Sequence, residues 1–186
     1  SRTIYNLKMH VLDKFRYCPV CGSKHFVEQS EKSKHCESCG FEYFLNPSSA
    51  VAAFILNEQG ELLVTRRKFD PGRGTLDLPG GFCDIDETIG EALVREVKEE
   101  TNLVIKEKNY FCSLPNKYRY SDFDIPTLDA FFICKVEDET MLKAADDVEE
   151  AIWLPLTEVH TEQFGLRSIR QALYDFLQIE LKNLKK

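Results

Sequence analysis

Residues Gly80–Leu103 read GGFCDIDETIGEALVREVKEETNL, and this stretch decides the fold. Two glycines lead into a segment with helical spacing, where successive residues turn by about 100°. With Glu96 at zero, Ile89, Leu93 and Val97 fall near 20°, 60° and 100°, an apolar stripe about a quarter of the circumference wide. Glu100 falls near 40°, inside the stripe, and Glu99 near −60°, on its flank. A solvated acidic face would lie opposite, where Glu91 and Lys98 project. Three like charges at i, i+3 and i+4 repel one another, and carboxylates drawn toward an interior are costly unless compensated. A divalent cation is the simplest compensation. Gly80 and Gly81 are expected to make a sharp turn that exposes backbone carbonyls beside this helix.

Upstream, Ala50–Leu56 (AVAAFIL) has a buried-strand pattern, residues 57–60 (NEQG) read as a turn and Glu61–Arg67 (ELLVTRR) as a returning strand, so the pair is expected to start a sheet as a hairpin. Arg66 and Arg67 alternate faces; one goes to solvent and Arg67 is the candidate for an anionic substrate. Residues 69–75 (FDPGRGT) form a glycine-rich connection without a P-loop lysine. Downstream, Tyr110–Tyr120 and Leu128–Val136 read as strands flanking a polar loop, Ser121–Asp124. Tyr118, Tyr120 and Phe123 are candidates to stack a nucleobase, with core or surface filling as the alternative. Asp146–Glu150 is an acidic run before a strand at Ile152–Pro155, and Gly165–Leu184 is an amphipathic helix that should cover the sheet.

The 186-residue chain can hold one full-sized domain and a small appendage. Its net charge of −7 argues against broad binding to nucleic acid or an anionic membrane. No apolar run approaches the ~20 residues of a membrane span. The opening SRTIYNLKMHVLDKF lacks the regions of a signal peptide, so a cytoplasmic protein is expected; its Ile4, Leu7, Val11 and Leu12 suggest a short terminal helix. Seven cysteines are present, and Cys18, Cys21, Cys36 and Cys39 are spaced C-x2-C-x14-C-x2-C. Two such knuckles supply four thiolates to a structural Zn²⁺, with His25 and His35 as bystanders because four thiolates fill the site. A segment this short folds largely on its metal.

Gly81, Glu87, Arg95, Glu96, Val97, Glu99, Glu100 and Leu103 stand at the spacing G-x5-E-x7-R-E-U-x-E-E-x-G-U, U being aliphatic, which resembles the Nudix box of pyrophosphohydrolases. Asn102 replaces the last glycine, and asparagine is the next most tolerant residue for a left-handed helix end. The resemblance implies an α/β/α sandwich with a mixed sheet over residues 46–186, preceded by an N-terminal segment and zinc ribbon over 1–45. It implies hydrolysis of a nucleoside diphosphate linked to another moiety, a small-molecule substrate. Glu96, Glu99 and Glu100 would hold Mg²⁺ or Mn²⁺ with the Gly80 carbonyl, Glu87 and Arg95 would orient them, and Glu149 or Glu150 would add a ligand or base. Relatives often form homodimers. The ribbon before such a domain is similar to the NADH pyrophosphatase branch, yet SLPNKYRYSDFDI stands where that branch carries SQPWPFPxS, which puts NADH itself in doubt. The competing reading is a nucleotide-sensing module, or one binding a partner or nucleic acid, with a zinc ribbon and weak or no catalysis.

Overall fold

In a computed structural model, residues 9–183 and 185 are described. The chain divides into two compact units, Ser1–Pro47 and Ser48–Lys186. In the first, β1 (Phe26–Ser30), β2 (Ser33–Cys36) and β3 (Glu42–Phe44) form an antiparallel sheet in that order. Each knuckle closes on a glycine with left-handed φ: Gly22 at 75° donates to the Cys18 carbonyl and Gly40 at 81° to that of Cys36. Among the described residues the unit's buried cluster is Cys18, Phe26 and Cys36, backed by Phe15, Phe41 and Tyr43, with Leu12 also buried, a small core for a segment to fold on unaided. Of the expected terminal helix, Ile4 and Leu7 lie outside the described residues. Val11 and Leu12 belong to a turn, not a helix.

The second unit contains β4 (Ser48–Ile55), β5 (Glu61–Arg67), β6 (Leu76–Asp77), β7 (Gly80–Phe82), α1 (Ile89–Thr101), β8 (Ile105–Tyr120), β9 (Phe123–Val136), β10 (Val148–Pro155) and α2 (Arg167–Asn183). One sheet runs β7-β4-β9-β8, with β4 parallel to β9 and the other pairs antiparallel; the other runs β10-β5-β6. The apolar run of β4 is continuous because both its faces are covered. Val51, Ala53 and Ile55 pack with Ala92, Leu93 and Val97 of α1. Ala52 and Phe54 pack with Ile169, Leu173 and Phe176 of α2, the rings of Phe54 and Phe176 stacking at 4.3 Å. An α/β/α sandwich with a mixed sheet results.

Two expectations need correction. The turn after β4 forms, with the Asn57 N–H donating to the Glu61 carbonyl at 3.0 Å, but β4 and β5 are not a hairpin. One isolated bridge, Leu56 to Leu62, joins them before they diverge into separate sheets. Both edges of β4 are taken by β7 and β9, leaving none for β5. The polar loop at Ser121–Asp124 is also absent: β8 and β9 meet in a two-residue turn, Ser121-Asp122, with φ of 49° and 59°, the left-handed pair that tight hairpins favour. Its strands extend past the start of β4, which pairs with β9 only from Thr127. Among the described residues no helix is long and apolar enough to cross a membrane.

Candidate active site

The helix α1 is cut to length by its own sequence. Thr88 Oγ1 accepts from the Glu91 N–H at 3.2 Å while a Glu91 carboxylate oxygen accepts from the Thr88 N–H at 2.8 Å, a capping box. At the other end Asn102, φ 63°, donates its N–H to the Lys98 carbonyl, as expected for a residue replacing glycine there. The buried stripe holds Ala92, Leu93 and Val97, and Glu96 and Glu100 share that side of the helix.

Gly80 and Gly81 do not form the expected turn. They pair with Ala52 and Val51 as part of β7, and what matters is their missing side chains. A Cβ on Gly80 would lie 2.0 Å from the Val51 carbonyl oxygen; one on Gly81 would lie 2.6 Å from the Glu96 carboxyl carbon. Glycine lets Glu96 lie against the strand.

Arg95 organises the acidic groups around it. Its Nε and Nη2 donate to the two oxygens of Glu87 at 2.7 and 2.8 Å, and its Nη1 to Glu96 at 2.7 Å and to Glu99 at 3.1 Å; Nη2 also reaches the Phe82 carbonyl. The hydrogen bonds from Arg95 and from the Asp84 N–H hold the Glu87 carboxyl down at about 2. The same contacts with Glu87 and Glu96 raise the guanidinium further above its ordinary range. Burial pushes Glu96 up despite Arg95, with the charges of Glu99 and Asp84 adding to the push.

Glu100 is the most perturbed. Burial raises its carboxyl to about 8, against the N–H of Gly80, which donates to it at 3.1 Å; the nearby charges of Asp77, Glu96 and Asp147 raise it further. It opens with Glu96 into a cleft of about 440 Å³ that Arg67, Asp77, Tyr118 and Asp147 also line. A buried carboxyl amid three other carboxylates, held by the Gly80 N–H, is chemistry that a hard divalent cation fits. The carboxylates do not close into a finished cage. Among the described residues, only the four cysteines form a set of three or more such ligand atoms all within 4.8 Å of one another. Glu99, 58% exposed, is turned to Arg95. That openness suits an ion that keeps waters and takes substrate oxygens.

The remaining candidates divide. Arg67 lines the cleft, pairs with Asp77 and donates from Nη2 to the Tyr118 hydroxyl at 3.2 Å. Burial works against its charge, but Asp77 and Tyr118 hold the guanidinium above its ordinary value. Tyr118 stands edge-on to Phe82 with ring centroids 5.5 Å apart. Tyr120 is 65% exposed and neither it nor Phe123 lines the cleft; they pair with each other at the hairpin's end, beyond the start of β4. Glu149 and Glu150 do not line it either: Glu150 accepts from Arg66 Nε at 3.0 Å across the β5–β10 ladder. Asp147, from the same acidic run, does line it. Asp77, Thr127 and Asp129 also line the cleft and were missed, because each stands in an unremarkable strand and only the meeting of two sheets brings them together.

In the first unit the four cysteine sulfurs gather within 4.8 Å. Cys18 and Cys39 are 3.7 Å apart and Cys21 and Cys36 3.6 Å, close to the ~3.8 Å edge of a tetrahedron with Zn–S bonds of about 2.3 Å. Against burial, the N–H groups of Cys39 and Ser38 draw the Cys36 thiol down to about 6. The donor set fits structural zinc. His25 is exposed and His35 lies 3.5 Å from Glu42; neither is needed as a ligand.

Fold and site define a class: an α/β/α sandwich whose first helix edges a cleft with carboxylates. A family model described as the NUDIX domain matches residues 46–176, and the chain belongs to the Nudix family. A second, described as the NADH pyrophosphatase zinc ribbon domain, matches residues 13–44. An ADP-ribose pyrophosphatase of Methanocaldococcus jannaschii is 38% identical over 117 residues, 62% of this chain and 66% of that protein. A NAD-capped RNA hydrolase, NudC, of Haemophilus influenzae is 27% identical over 180 residues, 93% of this chain and 65% of that one. The chain thus spans just under two thirds of the length of these curated relatives. A crystal structure of a Nudix hydrolase from Nitrosomonas europaea superposes with a TM-score of 0.68 at 21% identity, covering 88% of this chain and 90% of that one; the likeness is one of fold.

Proposed function

We propose that this protein is a divalent-cation-dependent pyrophosphohydrolase that cleaves the diphosphate of a nucleoside diphosphate linked to another moiety, with ADP-ribose-, NAD(H)- or FAD-like compounds as the substrate class. The observation that carries it is the buried Glu100 carboxyl, gathered with Glu96 at a cleft and left short of compensating charge. Glu96, Glu99 and Glu100 would hold Mg²⁺ or Mn²⁺, with the Gly80 carbonyl as a further ligand. Bound cations supply neutralisation of diphosphate oxygens and activation of the attacking water.

The chain's own residues do the rest. Arg95, anchored by both oxygens of Glu87, holds Glu96 and Glu99 beside it. Gly80 donates its N–H to Glu100 and so aims that carboxylate. Asp147 is available as a further ligand or as the base that receives the water's proton. Arg67 offers its guanidinium to an anionic or polar part of the substrate, and Tyr118 a ring face beside it. The ribbon holds one Zn²⁺ as a strut. The relatives named ADP-ribose pyrophosphatase and NAD-capped RNA hydrolase support the diphosphate class, and the acidic balance of the chain does not favour RNA as the general ligand. A homodimer, read from the family resemblance, is checked by light scattering.

The experiment is turnover of NADH, NAD, ADP-ribose, FAD and diadenosine polyphosphates with Mg²⁺ or Mn²⁺. Hydrolysis of one or more is expected. Tight binding of one with turnover of none would replace this reading with that of a nucleotide sensor.

A further inference from the structure

The cleft has two chemically distinct ends. Glu96 lies over Gly81 on the α1 side of the central sheet. On β9, Phe131 packs in the α2-side core, and side chains two and four residues earlier point the same way; these are Asp129 and Thr127. Asp129 confirms the placement by accepting from the hydroxyl of Ser168, in the first turn of α2, and from that of Thr127 at 2.7 Å. Both Asp129 and Thr127 line the cleft, as do the apolar Leu166 and Ile169 beside them.

Asp129 is only 8% exposed, and among the described residues no ion pair reaches it. Asp77, in the same cleft, is committed to the Arg67 guanidinium and the Leu78 N–H. Asp129 holds two hydroxyl hydrogen bonds, whereas a carboxylate can accept about four. A flat ring entering between apolar walls would turn its rim to this group. A rim with N–H groups satisfies it; an oxo group would set acceptor against acceptor in a nearly dry place.

Building on the hydrolase reading above, we propose that Asp129 is a specificity-determining residue that accepts a hydrogen bond from the exocyclic amine of the substrate's nucleobase. The cleft then selects amine-bearing nucleoside diphosphate compounds over their oxo counterparts. The metal-holding carboxylates and this acceptor sit on opposite faces of one sheet, so diphosphate and base are read at separate ends.

The test compares ADP-ribose with IDP-ribose, in which a 6-oxo acceptor replaces the 6-amino donor and N1 gains a proton, and with the purine analogue that lacks only the 6-amino group and should bind as weakly as IDP-ribose. Binding is measured by calorimetry with Ca²⁺, and hydrolysis in parallel with Mg²⁺. ADP-ribose is expected to be preferred by about 100-fold or more, the scale on which hydrogen-bonding sites reject a mismatched group. Asp129→Asn, whose amide can donate as well as accept, is expected to cut the preference below about tenfold. Asp129→Ala, which removes the acceptor altogether, is expected to do the same and serves if Asp129→Asn does not fold; Asp77→Asn, which alters the partner of Arg67, should leave the preference within about threefold. Equal affinity for ADP-ribose and IDP-ribose overturns the proposal and leaves the hydrolase reading standing. A preference that survives in folded Asp129→Asn, or that collapses in Asp77→Asn, also overturns it. Selective binding of ADP-ribose with hydrolysis of neither overturns the enzymatic reading and supports the assignment of Asp129.

Discussion

Replacing Glu100 by Gln should make the protein more stable in metal-free buffer at alkaline pH and less able to use a metal. Burial holds the Glu100 carboxyl at about 8, above its ordinary 4.5. A carboxyl with a raised folded-state value favours folding while protonated. Its stabilising contribution is therefore complete below pH 4.5 and is lost as pH rises through 8. The displacement corresponds to about 5 kcal/mol at full ionisation, or roughly 10–20 °C in melting temperature for a unit of this size. Glutamine keeps an oxygen to accept the Gly80 N–H and has no charge to desolvate. Melting curves of parent and Glu100→Gln between pH 5 and 9, in buffer free of Mg²⁺ and Mn²⁺ but without a strong chelator that would strip the ribbon, should converge at low pH. Above pH 8 the variant should melt higher. Added Mg²⁺ or Mn²⁺ should raise the parent's melting temperature and leave the variant's nearly unchanged. Parallel curves for the two proteins across the whole range would refute the view that Glu100 is a buried carboxylate awaiting a cation.

Other outcomes follow from the same geometry. Glu99→Gln and Glu100→Gln should each lower kcat by orders of magnitude with the fold intact; a few-fold loss in both would count against their metal role. Gly81→Ala puts a methyl 2.6 Å from the Glu96 carboxyl carbon, so steady-state kinetics should show a large fall in activity and calorimetry weaker Mn²⁺ binding. The Glu87 carboxyl sits near 2 instead of 4.5, so its contribution is present above pH 4.5 and lost as pH falls through 2; Glu87→Gln should flatten the acid limb of the stability curve, measured by circular dichroism. Metal analysis should find about one zinc per chain, lost in Cys36→Ser; reduced wild-type protein free of zinc would overturn the ribbon assignment.

Periodicity and spacing carried a large part of this protein. The inward side of α1 with Glu96 and Glu100, the helix end at Asn102, the four-cysteine site and the buried strand β4 were legible because each depends on neighbours a few residues away. Position on a helix or strand is local geometry. The reading of Gly80 and Gly81 as a turn failed for the opposite reason: their constraint comes from Val51 and from Glu96, which lie far off in sequence. The β4–β5 hairpin failed likewise, since β7 and β9 compete for the edges of β4 from elsewhere in the chain.

What the sequence determined by itself was the kind of chemistry, since carboxylates at i, i+3 and i+4 share a helix side whatever surrounds them, and thiolates in two knuckles converge on one ion. Only the tertiary structure decided which groups meet that chemistry. Asp147, Arg67, Tyr118 and Asp129 line the cleft while Glu149, Glu150, Tyr120 and Phe123 do not, and the four come from separate parts of the chain: the turn before β10 and the strands β5, β8 and β9. Which of them face one cleft is set by how two sheets and two helices pack, and that is a property of the whole core.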